Sequence, residues 1–240
     1  MAFEHCPYQF FMSYIKPHSK KPLFFSAYGT FLHKIIEKKL KGELQKEELT
    51  AYYLTNFQKE VTGRAPNKEI FQSYFNQGLE YLQNMDFPYP TPLAVERRVD
   101  FFIGDKPFTG IIDCVAEDEG GIIILDNKSR TLKPRSARKK PTKSDLELDE
   151  YLRQLYLYSI PIQTEYHQYP KRLVFNCFRT GNVISEPFQE SALENTKCWA
   201  LQTIEKITNH EDWGPNMEYW KCRYLCDHSH QCEYQLMNGR

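Results

Sequence analysis

The sequence has no net charge. Its 240 residues carry 31 Lys and Arg against 31 Asp and Glu, so no global basic field draws it to a nucleic acid, and any such field has to be local. It has no apolar run long enough to cross a bilayer as a helix. Its opening, "MAFEHCPYQF", lacks the basic-then-apolar pattern of a secretory signal. It has no G-x-x-x-x-G-K-[ST] phosphate loop, so it carries no nucleotide-driven motor of its own. No internal repeat is visible. Together these absences set the expectation of a cytoplasmic protein with no membrane partner.

What is present is a core. Apolar residues make up 41% and aromatics 15% of the chain, enough for one large domain or two small ones. The seven cysteines read as metal ligands or buried thiols rather than a disulfide framework in such a setting.

Residues 26–85 read as helical. "SAYGTFLHKIIEKKLKGEL" places apolar residues at 28, 31, 32, 35, 36 and 40, a helical stripe, with Ser26 as its expected N-cap. Two further helices are expected near 46–62 and 67–85, the last ending at the Pro-rich "PYPTP" turn. Residues 93–126 read as strands. Asp145 is the expected cap of a helix through "DLELDEYLRQLYLYSI". "KRLVFNCF" and "GNVISEPF" form a hairpin across 179–181, and 189–208 is helical. The order points to an α/β domain: a small mixed sheet flanked by helices, with the N-terminal helices (24–88) as a subdomain on a core at 93–188.

The stretch "GIIILDNKSR" ends a buried strand in charge. A two-residue turn at Glu119–Gly120 pairs 118 with 121, which sets Asp113 opposite Asp126. Opposed side chains have Cβ atoms about 4.5–5.5 Å apart, and Lys128 falls on the same face as Asp126. Two facing carboxylates repel unless a cation sits between them. Hard oxygen ligands suit Mg2+ or Mn2+, and a lysine beside activated water supplies the parts for phosphodiester hydrolysis. An ordinary ion pair at a strand end is the competing reading.

Other motifs join this one. "YGTFLHKIIE" puts Gly29, His33 and Glu37 on one helical face, and "QLYLY" puts Gln154 and Tyr158 four residues apart. Gly-x-x-x-His, Gly-Ile-Ile-Asp, Asp-Asn-Lys and Gln-x-x-x-Tyr, in that order, resemble the RecB-like nuclease branch of the PD-(D/E)XK superfamily. That branch includes the nuclease domains of bacterial AddB subunits and the CRISPR-adaptation exonucleases. The resemblance runs from Cys6 to Cys232. It implies a single nuclease domain over 1–240 with a restriction-endonuclease-like core. His33, Asp113, Asp126 and the backbone carbonyl of Asn127 would ligate the metal, Lys128 would be the catalytic lysine, and Gln154 and Tyr158 would position the strand and that lysine. Glu37 and Glu96 are secondary candidates near the metal. The implied activity is a metal-dependent DNA nuclease, acting as an exonuclease on ends or single strands, with any motor supplied by a partner such as a helicase. A non-cleaving nucleic-acid-binding or scaffold module of the same fold is the alternative, as is a zinc-stapled interaction protein. The resemblance also implies more chain ahead of Cys6 than this sequence shows.

Cys222, Cys226 and Cys232 form C-x3-C-x5-C, and Cys6 precedes Pro7. Four thiolates suit a [4Fe–4S] cluster or zinc. The resemblance implies the cluster, held by Cys6 and the segment 219–235, as a staple between the chain ends. The first spacing departs from the commoner C-x2-C, and His5, His228 and His230 keep mixed-ligand zinc as the alternative. Cys114, Cys177 and Cys198 read as small core residues. From Arg130 to Lys143 there are seven basic residues and no acidic one. Lys133 and Arg135 lie in this run. A solvated loop and a phosphate-contacting clamp are equally supported readings of it.

Overall fold

The computed structural model describes residues 2–84 and 91–237. Two short helices, α1 (Ala2–His5) and α2 (Pro7–Phe10), lead into α3 (Phe24–Leu40), α4 (Leu49–Glu60) and α5 (Lys68–Asn84). Three strands follow: β1 (Pro92–Ile103), β2 (Lys106–Asp118) and β3 (Gly121–Lys128). The long α6 (Lys143–Tyr166) crosses to β4 (Arg172–Cys177) and β5 (Asn182–Pro187). The chain then runs through α7 (Glu190–Thr208), α8 (Tyr219–Tyr224) and α9 (Glu233–Met237). The end of the third expected helix at 85, and residues 88–90 of the expected Pro-rich turn, lie outside the described residues.

The strands form one sheet in the order β1-β2-β3-β4-β5. Only β3 and β4 run parallel, and the others are antiparallel. A parallel pair needs a long crossover, and α6 supplies it. Because α6 covers one face of β3 and α3 the other, β3 is apolar almost throughout. Ile122 and Ile124 join the core under α6 and α7, while Ile123 and Leu125 face Leu40 of α3. A third cluster, built on Phe31, Tyr53 and Phe57, binds α3, α4 and α5 into the expected helical subdomain, and Phe178 reaches into it from the end of β4.

Two helix starts differ from expectation. Ser26 lies inside α3, which begins at Phe24 with Leu23 as its N-cap. Phe24 is buried against Phe71 and Tyr74, and that burial draws three more residues into the helix than the capping side chain would select. The cap of α6 is Thr142, and Asp145 is its reciprocal partner three residues on, in a capping box. Asp145 also accepts from the backbone and hydroxyl of Ser136, each at 2.7 Å. One carboxylate therefore anchors both the helix start and the basic loop ahead of it. Leu132, buried, is the loop's second anchor.

These hydrogen bonds hold the Asp145 carboxyl well below the usual carboxylate range, the bond from the Ser136 backbone being the largest cause. A depressed folded value contributes stability above the unfolded value near ~3.9 and loses it as pH falls toward the folded one. Asp145→Ala is therefore expected to lower the melting temperature at pH 7, with the gap to wild type closing below about pH 4. It should also speed tryptic cleavage after Arg138 and Lys139. Unchanged proteolysis would show that the loop is held by other contacts.

Candidate metal and nucleic-acid site

The site starts from the β2–β3 register. Asp118 pairs with Gly121 and Cys114 with Leu125, the register expected from the two-residue turn, so Asp113 and Asp126 are the next residues along. The ladder stops there. Instead of a strand-to-strand bond, the Asn127 backbone N–H donates to the Asp113 carboxylate at 2.7 Å. On the other side, β1 pairs Val95 with Cys114 and Arg97 with Ile112, which sets Glu96 across from Asp113.

Both strands are irregular at this point. Ile112 packs in the core under α6, while Cys114 packs on the opposite face, so the alternation of β2 breaks at Asp113. Glu96 has a φ of 51°, a left-handed conformation that costs a non-glycine residue of order 1–3 kcal/mol and collects at functional sites. The break turns three carboxylates on neighbouring strands, Glu96, Asp113 and Asp126, toward one place.

α3 delivers the imidazole. His33 Nδ1 lies 3.3 Å from Asp113 Oδ2, and the ring hydrogen-bonds the Asn127 backbone carbonyl. Ligand atoms of His33, Glu96 and Asp113 all lie within 4.8 Å of one another. Burial lowers the His33 pKa, with Lys128 adding and Asp113 opposing, so the neutral, ligating form is favoured. These three residues and Glu37 line an open cavity of about 720 Å3 between α3 and the sheet. Gly29 lets α3 approach: a Cβ there would come within 3.2 Å of Ser129 Oγ.

Lys128 projects to the α6 side. Its Nζ lies 2.6 Å from Asp126 Oδ2, a buried ion pair. It donates to Gln154 Oε1 at 3.3 Å, and Gln154 in turn donates to the Tyr158 hydroxyl at 3.0 Å. Tyr158 packs on Gly110, where a Cβ would meet the ring at 2.5 Å. The Gly-Ile-Ile-Asp and Gln-x-x-x-Tyr motifs thus touch through a glycine and a phenol ring.

The free charges are out of balance. Burial raises Asp126 to about 6, with Lys128 opposing and Asp113 adding. Burial first, then Asp113 and Glu37, raises Glu96 to about 7. Carboxylates held against their charge, a neutral imidazole and a backbone carbonyl make a hard donor set that fits a small divalent cation.

The other sequence candidates fall around this centre. Glu37 lines the same cavity and pairs with Lys41. Arg130 pairs with Glu147 and lies over the Tyr151 ring. Arg135 pairs with Asp149 at 2.6 Å and Glu186 at 2.9 Å, while Lys133 is exposed. All seven cysteines are free thiols. Cys6, Cys222 and Cys226 line one cavity of about 290 Å3. The Cys226 thiol is pushed up to about 11, chiefly by burial, with Cys6 and Cys232 adding. Cys114 and Cys177 are buried as expected. Cys198 is not: it sits on the solvent side of α7, where the helical period turns it away from the core residues Leu193, Thr196 and Ala200.

Two residues escaped the sequence reading. Tyr151 stands 5.3 Å from Lys128 Nζ. It belongs to the stripe 151, 154, 158 on α6, a helical spacing visible in the sequence. Asn176 on β4 donates to the Asn127 side chain and to the Tyr81 hydroxyl, both at 2.8 Å. Only the parallel β3–β4 pairing, which sets Asn127 beside Asn176, reveals it.

The family model for the PD-(D/E)XK nuclease superfamily matches residues 1–233, and the chain belongs to that superfamily. Its members are generally nucleases and use divalent metals such as Mg2+. No curated protein matches the chain. A solved structure described as "Crystal structure of SSO0001" is 20% identical over 86% of this chain and 96% of its own, with a TM-score of 0.32, too loose a likeness to carry an argument.

Two outcomes follow. Glu96 is raised in the folded state, so folding retains a proton that the unfolded chain releases between about pH 4 and 7, and stability falls across that window. Glu96→Gln should therefore stabilise the metal-free protein above pH 7, by on the order of 1 kcal/mol after solvent screening of this half-buried group. The gain should vanish below pH 4 in melts run with EDTA. Asn176→Ala should cost about 1–3 kcal/mol in denaturant and weaken Mg2+ binding, because the Asn127 carbonyl is one of the ligands expected from the sequence. Tyr81→Phe, which leaves the Asn127 bond intact, should keep Mg2+ binding. Equal Mg2+ affinity in all three proteins would sink this positioning role.

Proposed function

We propose that this chain is a RecB-like, metal-dependent deoxyribonuclease that acts as an exonuclease on DNA ends or single strands. The observation that carries the reading is the convergence of His33, Glu96 and Asp113 beside Lys128, which is itself held between Asp126 and Gln154. A scaffold would gain nothing from keeping these like charges together.

His33, Asp113, Asp126 and the Asn127 carbonyl would hold Mg2+ or Mn2+, with Glu96 as a further ligand. When bound, the cation supplies Lewis acidity for activating water and for neutralising the scissile phosphate. The chain's own residues do the rest. Lys128 presents an ammonium held in place by Asp126 and Gln154, so its N–H donors meet charge that develops on the phosphoryl oxygens without having to reorganise. Tyr158 fixes Gln154, and Tyr151 screens the lysine from solvent. His33 stays neutral as a ligand and passes no proton.

Cys6, Cys222, Cys226 and Cys232 would hold a [4Fe–4S] cluster with a structural role, tying the chain ends together. Seven free thiols suit a reducing, cytoplasmic setting. Strand separation would be the work of a partner such as a helicase.

The test is cleavage of end-labelled DNA with Mg2+ or Mn2+. Lys128→Ala and Asp126→Ala should each reduce the rate by at least ~100-fold. The purified protein should be brown. Absence of cleavage from folded, metal-supplied protein would leave a binding module as the answer, and a colourless protein containing zinc would replace the cluster.

A further inference from the structure

Large apolar side chains are left exposed near the C-terminus. Tyr219 is 72%, Met217 46%, Leu225 45% and Trp220 44% exposed, all within nine residues on or beside α8. The helix buries none of its own residues. Its rings are nevertheless held in place. The Trp220 and Tyr224 rings lie 4.5 Å apart. The Arg223 guanidinium sits 5.7 Å from the Tyr219 ring and 5.6 Å from the Tyr224 ring, and its Nη1 donates to the Tyr219 hydroxyl at 3.0 Å. α8 therefore offers ordered aromatic faces interleaved with the cations Lys221 and Arg223.

The inner edge of α8 leads to the site. Lys221 and Leu225 line the same cavity of about 290 Å3 as Arg130 and Tyr151. Tyr151 is the ring that stands 5.3 Å from Lys128 Nζ. A strip of cations and rings thus runs from Trp220 through Lys221, Arg130 and Tyr151 to Lys128. The counter-ions along it, Glu218 at Lys221 and Glu147 at Arg130, form exposed pairs. Such pairs are weak and exchange readily for a phosphate.

We propose that α8 is a stacking platform for single-stranded nucleic acid, which guides the strand past Arg130 and Tyr151 to the catalytic lysine. This rests on the nuclease reading and names its substrate form. Stacking on Trp220 and Tyr219 needs a base with a free face, which a single strand offers and a paired duplex does not. The alternating cations match the phosphates between those bases. An apolar protein surface would have no use for them.

The test uses the as-isolated protein in EDTA and the anisotropy of a labelled oligothymidylate, beside a duplex of equal length. Wild type is expected to bind the single strand more tightly. Trp220→Ala and Tyr219→Ala should each weaken single-strand binding by roughly five- to hundred-fold, with an unchanged melting curve. Trp220→Phe, which keeps a ring, should restore most of it. Metal-dependent cleavage of a dinucleotide too short to reach α8 should be unaffected in every variant. Single-strand binding that survives both alanine changes, or an equal loss for the duplex, overturns the platform and leaves the nuclease reading intact. Self-association abolished by Trp220→Ala overturns it too, with a second copy as the occupant. No cleavage of any substrate by wild type sinks the nuclease reading, while the binding series still decides the platform.

Discussion

Like charges do not gather at the end of a buried strand unless the rest of the chain holds them there. Glu96, Asp113 and Asp126 come from three neighbouring strands, and Lys128 on β3 pairs with Asp126. Burial and mutual repulsion lift two of these carboxyls well above their ordinary values. Much of the surrounding structure holds that arrangement in place. The β2–β3 ladder sets the register, the Asn127 amide clamps Asp113, and Glu96 accepts a left-handed backbone to face it.

The two sides of the sheet divide the work. The α3 side, closed by Phe178 and the helical subdomain, brings a neutral imidazole to the carboxylates. The α6 side brings Gln154, Tyr158 and Tyr151 to the lysine. Asp145 fixes where α6 begins, and with it the basic loop that leaves the site. A superfamily defined by two acids and a lysine needs both sides, because a carboxylate cluster without a positioned ammonium binds a cation but lacks the donor for developing charge. The same division explains why Asn176 matters: it ties the Asn127 side chain of β3 to α5 through Tyr81.

Much of this was legible from local pattern. The two-residue turn at Glu119–Gly120 implied the register that the sheet adopts, because side-chain alternation leaves one pairing for a short hairpin. The helical spacing of α3 and α6 grouped His33 with Gly29 and Glu37, and Gln154 with Tyr158, since i, i+4 spacing fixes a shared face whatever packs against it. Glu96 was harder to rank. Its partner is set by the β1–β2 pairing and its direction by a break in alternation that no periodicity announces.

The sequence by itself determined the elements, the hairpin register and the order of the acids and the lysine, because each depends on residues close together in the chain. Tertiary structure alone decided the rest. The early start of α3 came from burying Phe24 against α5. The pairing of Asn176 with Asn127 came from two strands joined in parallel by a 24-residue helix. The exposure of Trp220 beside a cavity walled by Tyr151 came from α8 folding back on residues some seventy positions earlier. Such contacts depend on how whole faces pack, and a linear pattern records which face is apolar but not what will cover it.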